Sequence, residues 1–300
     1  MVLVSGSVSY DILINADCSF SQLIDNRSVK SLSVGYPVRS LSIGFGGPAA
    51  NVSYHLTRMG VDAAPVAAVG DDFRPYGQWL SECGVDQRFI LAVEGTMTAR
   101  AFISTDRNQD QLIGFFPGAM AHAIRCDTGG QRADIAIVGP DDRDAMLARL
   151  RQFSAANIPI LFDPGQAVSS LSGGDLLKAV KAARWMAVNE FEQGWIETKT
   201  GTRIEALAED LEALIVTLGG RGSKLLTRRA VEYVEPARVD QPVDPTGCGD
   251  AYRAGLVAGI LSRRSLADAM KMASRAAAET LEVLGAQGKL LDPSRLAPVW

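Results

Sequence analysis

The stretch ADIAIVGPDDRDAMLARLRQFSAANIPILFDP, residues 133–164, reads as one full unit of an α/β fold. ADIAIVG (133–139) is a short apolar run stopped by Gly139-Pro140, and IPILFDP (158–164) is another. Between them the spacing of Met146, Leu147, Leu150 and Phe153 predicts a helix over 142–154. Short apolar runs bounded by Gly and Pro are buried strands, and a helix between two of them is the usual crossover between parallel neighbours. The same alternation extends both ways along the chain. VLVSGSV (2–8), APVAAVG (64–70), WMAVN (185–189) and ALIVTLGG (213–220) read as further strands. Helices are predicted near 49–59, 73–83, 173–183 and 203–211. Strands that are apolar throughout need cover on both faces, so the expected fold is α/β, a mostly parallel sheet flanked by helices.

Two stretches depart from this rhythm. SVKSLSVGYPVRSLSI (28–43) and MTARAFISTDRNQDQLIGFF (97–116) alternate apolar and polar residues, the second as a hairpin around Asn108–Asp110. They predict a smaller, half-exposed sheet serving as a lid, formed by about 11–43 and 95–117. After residue 246 the pattern turns helical, GDAYRAGLVAGIL followed by SLADAMKMASRAAAETLEVLG, and their Ala and Gly content predicts two closely packed helices. No repeat or linker divides the chain, so residues 1–300 are expected to form one domain.

Composition removes several function classes. A net charge of −4 leaves no basic block to neutralise phosphates, which argues against a nucleic-acid partner. No apolar run approaches the ~20 residues that span a bilayer, so no membrane partner is expected. The N-terminal MVLVSGSVSYDI lacks a basic region ahead of its apolar residues and reads as a first strand, not a signal peptide. Cys18, Cys83, Cys126 and Cys248 are widely separated with no CxxC pair, so neither a disulfide framework nor a zinc site is expected, and a cytoplasmic setting is the default. With only His55 and His122, histidine-based triads have little to build from, and His55 reads as a packed helix residue.

DPTGCGDAY (244–252) carries the chemistry. Gly247-Cys248-Gly249 at a helix start leave unpaired N–H groups at the positive end of the helix, where an anion is favoured. Asp250 could merely suit that dipole; alternatively it is a base beside a phosphoryl site, since phosphoryl transfer needs positioning, charge neutralisation and a group to take the acceptor proton. GFGGPAAN (44–51) is a second glycine cluster ahead of a helix. It fits a loose dinucleotide fingerprint, with Asp71 and Asp72 downstream, but it does not follow the first strand and Pro48 interrupts its turn. The alternative is that Gly46 and Gly47 let backbone approach a small polar ligand while Asn51 offers its amide. No Walker A spacing exists; GGRGSKL (219–225) does not match it. Asp11 is expected just past the first strand, where open α/β sheets hold ligands, or else as a turn residue. Asn189 and Glu192 in VNEFEQ fit either a shell around hydrated Mg²⁺ or a helix-capping arrangement.

In this order the pieces resemble the ribokinase-like (pfkB-type) family of carbohydrate and nucleoside kinases over nearly the whole chain. The matching residues are Gly6-Ser7 and Asp11, Gly46-Gly47 and Asn51, Asn189 and Glu192, and Val216-Thr217-Leu218-Gly219 with Gly222. The last match is Asp244, Thr246, Gly247, Gly249 and Asp250. The resemblance implies a three-layer fold with a β lid, and ATP with Mg²⁺ as cofactors. It assigns Asp250 as base, and the Gly247, Cys248 and Gly249 N–H groups as phosphate holders. Asn189 and Glu192 would order Mg²⁺ through water, while Thr217, Gly219 and Gly222 would line the ATP site. Asp11, Gly46, Gly47 and Asn51 would bind sugar hydroxyls. Asp244 and Thr246, with the Ala286-Gln287-Gly288 loop, resemble a monovalent-cation (K⁺) site. Lid sheets in the family can pair between subunits, which leaves a homodimer as an expectation. Three positions depart from the common pattern: Cys248 for Ala, Pro245 for Thr and Tyr252 for Phe. The Cys248 thiol, if reactive, would make the enzyme sensitive to oxidation.

FGGPAAN, TARAFISTD, FFPGAM (115–120), FDPGQ (162–166) and DPTGCGDAY look like the adenosine-kinase-like bacterial nucleoside kinases within the family. The implied acceptor is a nucleoside 5′-hydroxyl, with a ribose- or fructose-type sugar kinase as the alternative. Phe102, Phe116 and Gln166 are candidates for a nucleobase slot; lid core for the two Phe and a loop position for Gln are the structural alternatives.

Overall fold

The computed structural model describes residues 1–23, 35–108 and 110–291. Among the described residues nine strands form the main sheet. From one edge the order is Val231–Val234, Ser223–Leu226, Ala213–Thr217, Trp185–Asn189, Ile160–Phe162, Ile135–Val138, Val2–Ser5, Ala63–Val69 and Ile90–Ala92. Every pair from Ala213–Thr217 to Ile90–Ala92 is parallel, and the two remaining edge strands fold back as antiparallel hairpins. Alternate residues of the central strands enter different hydrophobic layers. Val2, Val4, Ile135, Ile137, Ala213 and Ile215 join the layer under the helices Pro48–Arg58, Arg74–Glu82, Cys248–Leu261 and Leu266–Leu281. Leu3, Ala136, Val138, Leu214 and Val216 join the layer under Arg143–Ala155, Gly173–Ala182 and Glu190–Thr200. This period-two partition produces the helix–sheet–helix sandwich that continuous apolar strands require.

The two C-terminal helices pack as their composition implies. A Cβ on Gly255 would lie 2.7 Å from the Cα of Ala273, and one on Gly259 2.6 Å from Ala269. Backbones at that distance admit no side chain between them.

A five-stranded second sheet sits apart, in the order Leu290–Leu291, Val38–Gly46, Ser9–Ala16, Ala99–Thr105 and Gln111–Phe116. The expected hairpin is present, Thr105 facing Gln111, with the Asp106 carboxylate accepting from the N–H groups of Asn108 and Asp110. Gln109 lies outside the described residues, as do residues 28–34 of the predicted lid stretch.

Three expectations need correction. The run 2–8 is not one strand: Val2–Ser5 belongs to the main sheet, and after Gly6–Val8 the chain begins the small sheet at Ser9. Asp11 therefore lies inside a lid strand, not beyond a strand of the parallel sheet. Residues 203–211 form only one α-turn, Ile204–Leu207, followed by a 3-10 turn. The sequence pattern does not mark Glu190–Thr200, a full helix, because its apolar residues are too few to define a face.

Candidate active site

The carboxyl ends of three neighbouring strands supply one side of the site. Thr217 and Asn189 are register partners ending their strands, and Asp163 immediately follows the next. The N-terminus of the Cys248–Leu261 helix faces them. Gly247 caps that helix at φ 79, in the left-handed region that only glycine enters freely. A Cβ there would also stand 2.4 Å from the Cβ of Ala286. Among the described residues no backbone acceptor meets the N–H groups of Gly249 and Asp250, the open donors of the first turn. Cys248 departs from its assigned part, because its N–H donates to the Pro245 carbonyl at 3.2 Å. Burial pushes its thiol up to about 11, with Asp244 and Asp250 adding to the effect, so it stays protonated and the expected oxidation sensitivity loses its basis.

Asp250 accepts from Asn51 Nδ2 at 2.7 Å. The residue is half-buried, and desolvation pushes its carboxyl up to about 6; the Asn51 hydrogen bond opposes that shift, the Asp163 charge adds to it and Arg253 offsets it. A base titrating near there is ionised at neutral pH yet still proton-hungry. One turn along, Arg253 is 4% exposed and makes a two-pronged ion pair with Asp163, Nε to Oδ2 at 2.9 Å and Nη2 to Oδ1 at 3.1 Å. The same guanidinium reaches the Ala187 and Gly249 carbonyls and lies 3.9 Å from Glu192. Neither Arg253 nor Asp163 was singled out from sequence. Arg253 stands one residue beyond DPTGCGDAY, and Asp163 lies inside FDPGQ.

Glu192 and Asn189 adopt the capping alternative in full. Glu192 accepts from Asn189 N and Nδ2, and Asn189 Oδ1 accepts from Glu192 N. Burial raises the Glu192 carboxyl, the Asp163 charge adding to it and Arg253 opposing. Among the described residues no three His, Cys, Asp or Glu side chains are grouped to hold a metal ion directly. Oxygen ligands near phosphate suit Mg²⁺, which keeps most of its waters, rather than a metal needing a protein cage. Asp244 braces two loops, its oxygens accepting from Thr246 N and Gly285 N.

On the lid side, Asp11 is buried, and among the described residues no hydrogen bond reaches its carboxyl. Burial pushes it up to about 7, with the charges of Asp250 and Asp244 adding. Gly46 lies flat against it, since a Cβ would be 2.4 Å from either carboxylate oxygen. Gly47, at φ 90, caps the helix that carries Asn51. Asp11, Gly46, Asn51 and Asp250 thus converge as expected. The nucleobase candidates do not. Tyr10 pairs with Arg100 and Arg100 with Phe116, while Ile12 pairs with Phe102; these residues share the face opposite Asp11. Ala101 and Phe115 share the Asp11 face, with Leu13, Ile103 and Ile113 farther along it. Neither Phe102 nor Phe116 is lid core, at 41% and 44% exposed. Gln166 is exposed on a 3-10 turn after Asp163. Beyond Thr217, Gly219 and Gly222 form the turn into the antiparallel hairpin, and a Cβ on Gly222 would be 2.2 Å from the Val234 carbonyl oxygen.

A half-buried carboxylate at a helix N-terminus, open N–H donors beside it and a buried, unpartnered acid opposite can bind a polyol and transfer an anionic group to it. Comparison with known proteins agrees. The nucleoside kinase of Burkholderia thailandensis, solved in complex with inosine, superposes with a TM-score of 0.88 at 31% identity over 96% of this chain and 92% of that one. Its ADP-inosine complex gives 0.86 at 30% identity, covering 99% and 93%. The nucleoside kinase of Methanocaldococcus jannaschii is 26% identical over 248 residues, 82% of each chain. The model of the pfkB family of carbohydrate kinases matches residues 8–293, and the chain belongs to that family.

Proposed function

We propose that this protein transfers the γ-phosphoryl group of ATP to the 5′-hydroxyl of a nucleoside. The observation that carries the proposal is the pairing of Asp250 with Asn51 opposite the unpartnered Asp11. Asp11 and the Gly46 backbone receive the ribose hydroxyls, which supply the hydrogen bonds the buried carboxylate lacks. That contact fixes the sugar with its 5′-oxygen toward Asp250, whose free Oδ1 takes the proton as the oxygen attacks phosphorus. The N–H groups of Gly247, Gly249 and Asp250 hold the phosphoryl oxygens, joined by the positive end of the helix. Arg253 keeps Asp163, Glu192 and Asp250 from repelling one another as further negative charge arrives.

Thr217, Gly219 and Gly222 border the ATP side. Mg²⁺ supplies charge neutralisation of the phosphates when bound, and Glu192, Asn189 and Asp163 would hold its water shell. Each Asp244 oxygen keeps further lone pairs, so Asp244 with Thr246 fits a potassium-type cation; no step depends on it. The base would rest against the Asp11 face of the lid, on Ala101, Ile103 and Phe115, in place of the Phe102 and Phe116 pair. The exposed Gln111–Phe116 edge of the lid leaves room for a homodimer through the lid. ADP release with MgATP across adenosine, inosine, guanosine, cytidine, ribose and fructose tests the proposal. Turnover with nucleosides and not with free sugars is expected; turnover with sugars alone keeps the Asp250 chemistry and overturns the acceptor.

A further inference from the structure

A hydrogen-bonded chain with a fixed direction ends on the base. Trp79 Nε1 donates to Gln287 Oε1 at 2.8 Å, Gln287 Nε2 donates to Asn51 Oδ1 at 2.8 Å, and Asn51 Nδ2 donates to Asp250 Oδ2 at 2.7 Å. The two ends of a carboxamide have nearly the same shape, so only its partners decide which way it points. Here both termini are unambiguous. An indole N–H can only donate and an ionised carboxylate can only accept. Each amide between them has one orientation that satisfies both neighbours. The second hydrogen of the Gln287 amide goes to Tyr76 Oη at 2.6 Å, and Tyr76 passes its own proton to the Gly46 carbonyl at 2.9 Å. Gly46 is the residue lying against Asp11.

Gln287 and Asn51 are each 3% exposed, so water does not compete for these bonds. The loop bearing Gln287 is held independently: His55, kept neutral because burial lowers it to about 4, shares a 3.0 Å hydrogen bond with the Ala286 carbonyl. Ala286 also packs on Gly247.

We infer that Gln287 is a positioning residue for phosphoryl transfer, fixing the Asn51 amide so that its N–H faces Asp250, with Trp79 fixing Gln287 in turn. With Asn51 reversed, a carbonyl oxygen would face a carboxylate oxygen at hydrogen-bond distance, and Asp250 would turn from the acceptor. The inference rests on the kinase reading above and gives Gln287, in the Ala286-Gln287-Gly288 loop, a part in orienting the base.

The direction of the chain provides the test. Gln287→Glu keeps shape and still accepts from Trp79; assayed at a pH high enough to ionise this buried carboxyl, its second oxygen can only accept, which drives Asn51 to reverse. Gln287→Met removes every hydrogen bond yet leaves Asn51 free to face Asp250. Positioning therefore predicts that kcat falls roughly 10–100-fold in Gln287→Glu, the scale of a misplaced reacting group, and less in Gln287→Met, with the ATP KM held within about twofold. A merely structural role predicts the opposite order, because Met loses more bonds. Wild-type turnover with the acceptor panel is measured alongside. Transfer by wild type with Gln287→Glu at or above the Gln287→Met rate overturns the inference alone; no transfer by wild type overturns the kinase reading and the inference with it. If Gln287→Glu yields no folded protein, Trp79→Phe decides, since it removes the indole donor while keeping an aromatic ring against Phe45 and Tyr54. A several-fold kcat loss at unchanged ATP KM supports the inference, and a wild-type kcat overturns it.

Discussion

Asp11→Asn should make the protein more stable and less active at once, with the stability gain growing with pH. The Asp11 carboxyl is buried, lacks a hydrogen-bond partner among the described residues, and is raised from 3.8 to about 7. The folded state binds its proton more tightly than the unfolded chain does. Stability from this group is fully present below the unfolded value and is lost as pH rises toward the folded one. Ionising it in the fold costs up to about 4 kcal/mol at pH 8, reduced by whatever water reaches it. An amide carries no such cost. Thermal melting of wild type and Asp11→Asn, without ligand, should show an advantage for the variant that widens between about pH 4 and 7 and then levels. At roughly 2 °C per kcal/mol for a chain this long, a recovery of about 2 kcal/mol gives a shift of about 4 °C. The variant should also lose roughly 10²-fold or more in kcat/KM for the acceptor, because a charged acceptor of ribose hydroxyls is gone. A variant advantage independent of pH, or a loss of stability at pH 8, would refute the assignment of Asp11 as a strained ligand-binding acid.

Two further substitutions follow from the geometry. Gly247→Ala forces a side chain into left-handed backbone and against Ala286; denaturant melts should show about 1–3 kcal/mol of destabilisation, with a fall in kcat as the helix start shifts. Arg253→Met leaves Asp163, Glu192 and Asp250 without their shared counter-charge; about 3–5 kcal/mol of stability should be lost in the same assay. That loss should shrink at low pH, where the carboxyls protonate.

The layered architecture was readable because its strands are apolar throughout, and that signal does not depend on register. The lid shows the limit of such reasoning. Alternation in TARAFISTD marks a half-exposed strand, but the face turned to the ligand depends on which residue pairs with which, and a one-residue shift exchanges the two faces. Phe102 and Phe116, plausible by type, lie on the face opposite Asp11, while their neighbour Phe115 shares the Asp11 face. The Asp163–Arg253 pair joins residues 90 apart in sequence, and the Gln287–Asn51 bond spans 236. Neither carries a local pattern. The helix start carrying Asp250 was legible for the opposite reason, since glycines, a helix start and an acid fall within a few consecutive residues of DPTGCGDAY.

The central claim is that Asp250 takes the acceptor proton during phosphoryl transfer to a nucleoside. Transfer from γ-labelled ATP to inosine by wild type and Asp250→Asn, with inosine binding measured by calorimetry on both, tests it most directly. The expected result is a kcat lower by roughly 10²–10⁴-fold with inosine still bound. An Asp250→Asn enzyme turning over near the wild-type rate would contradict it.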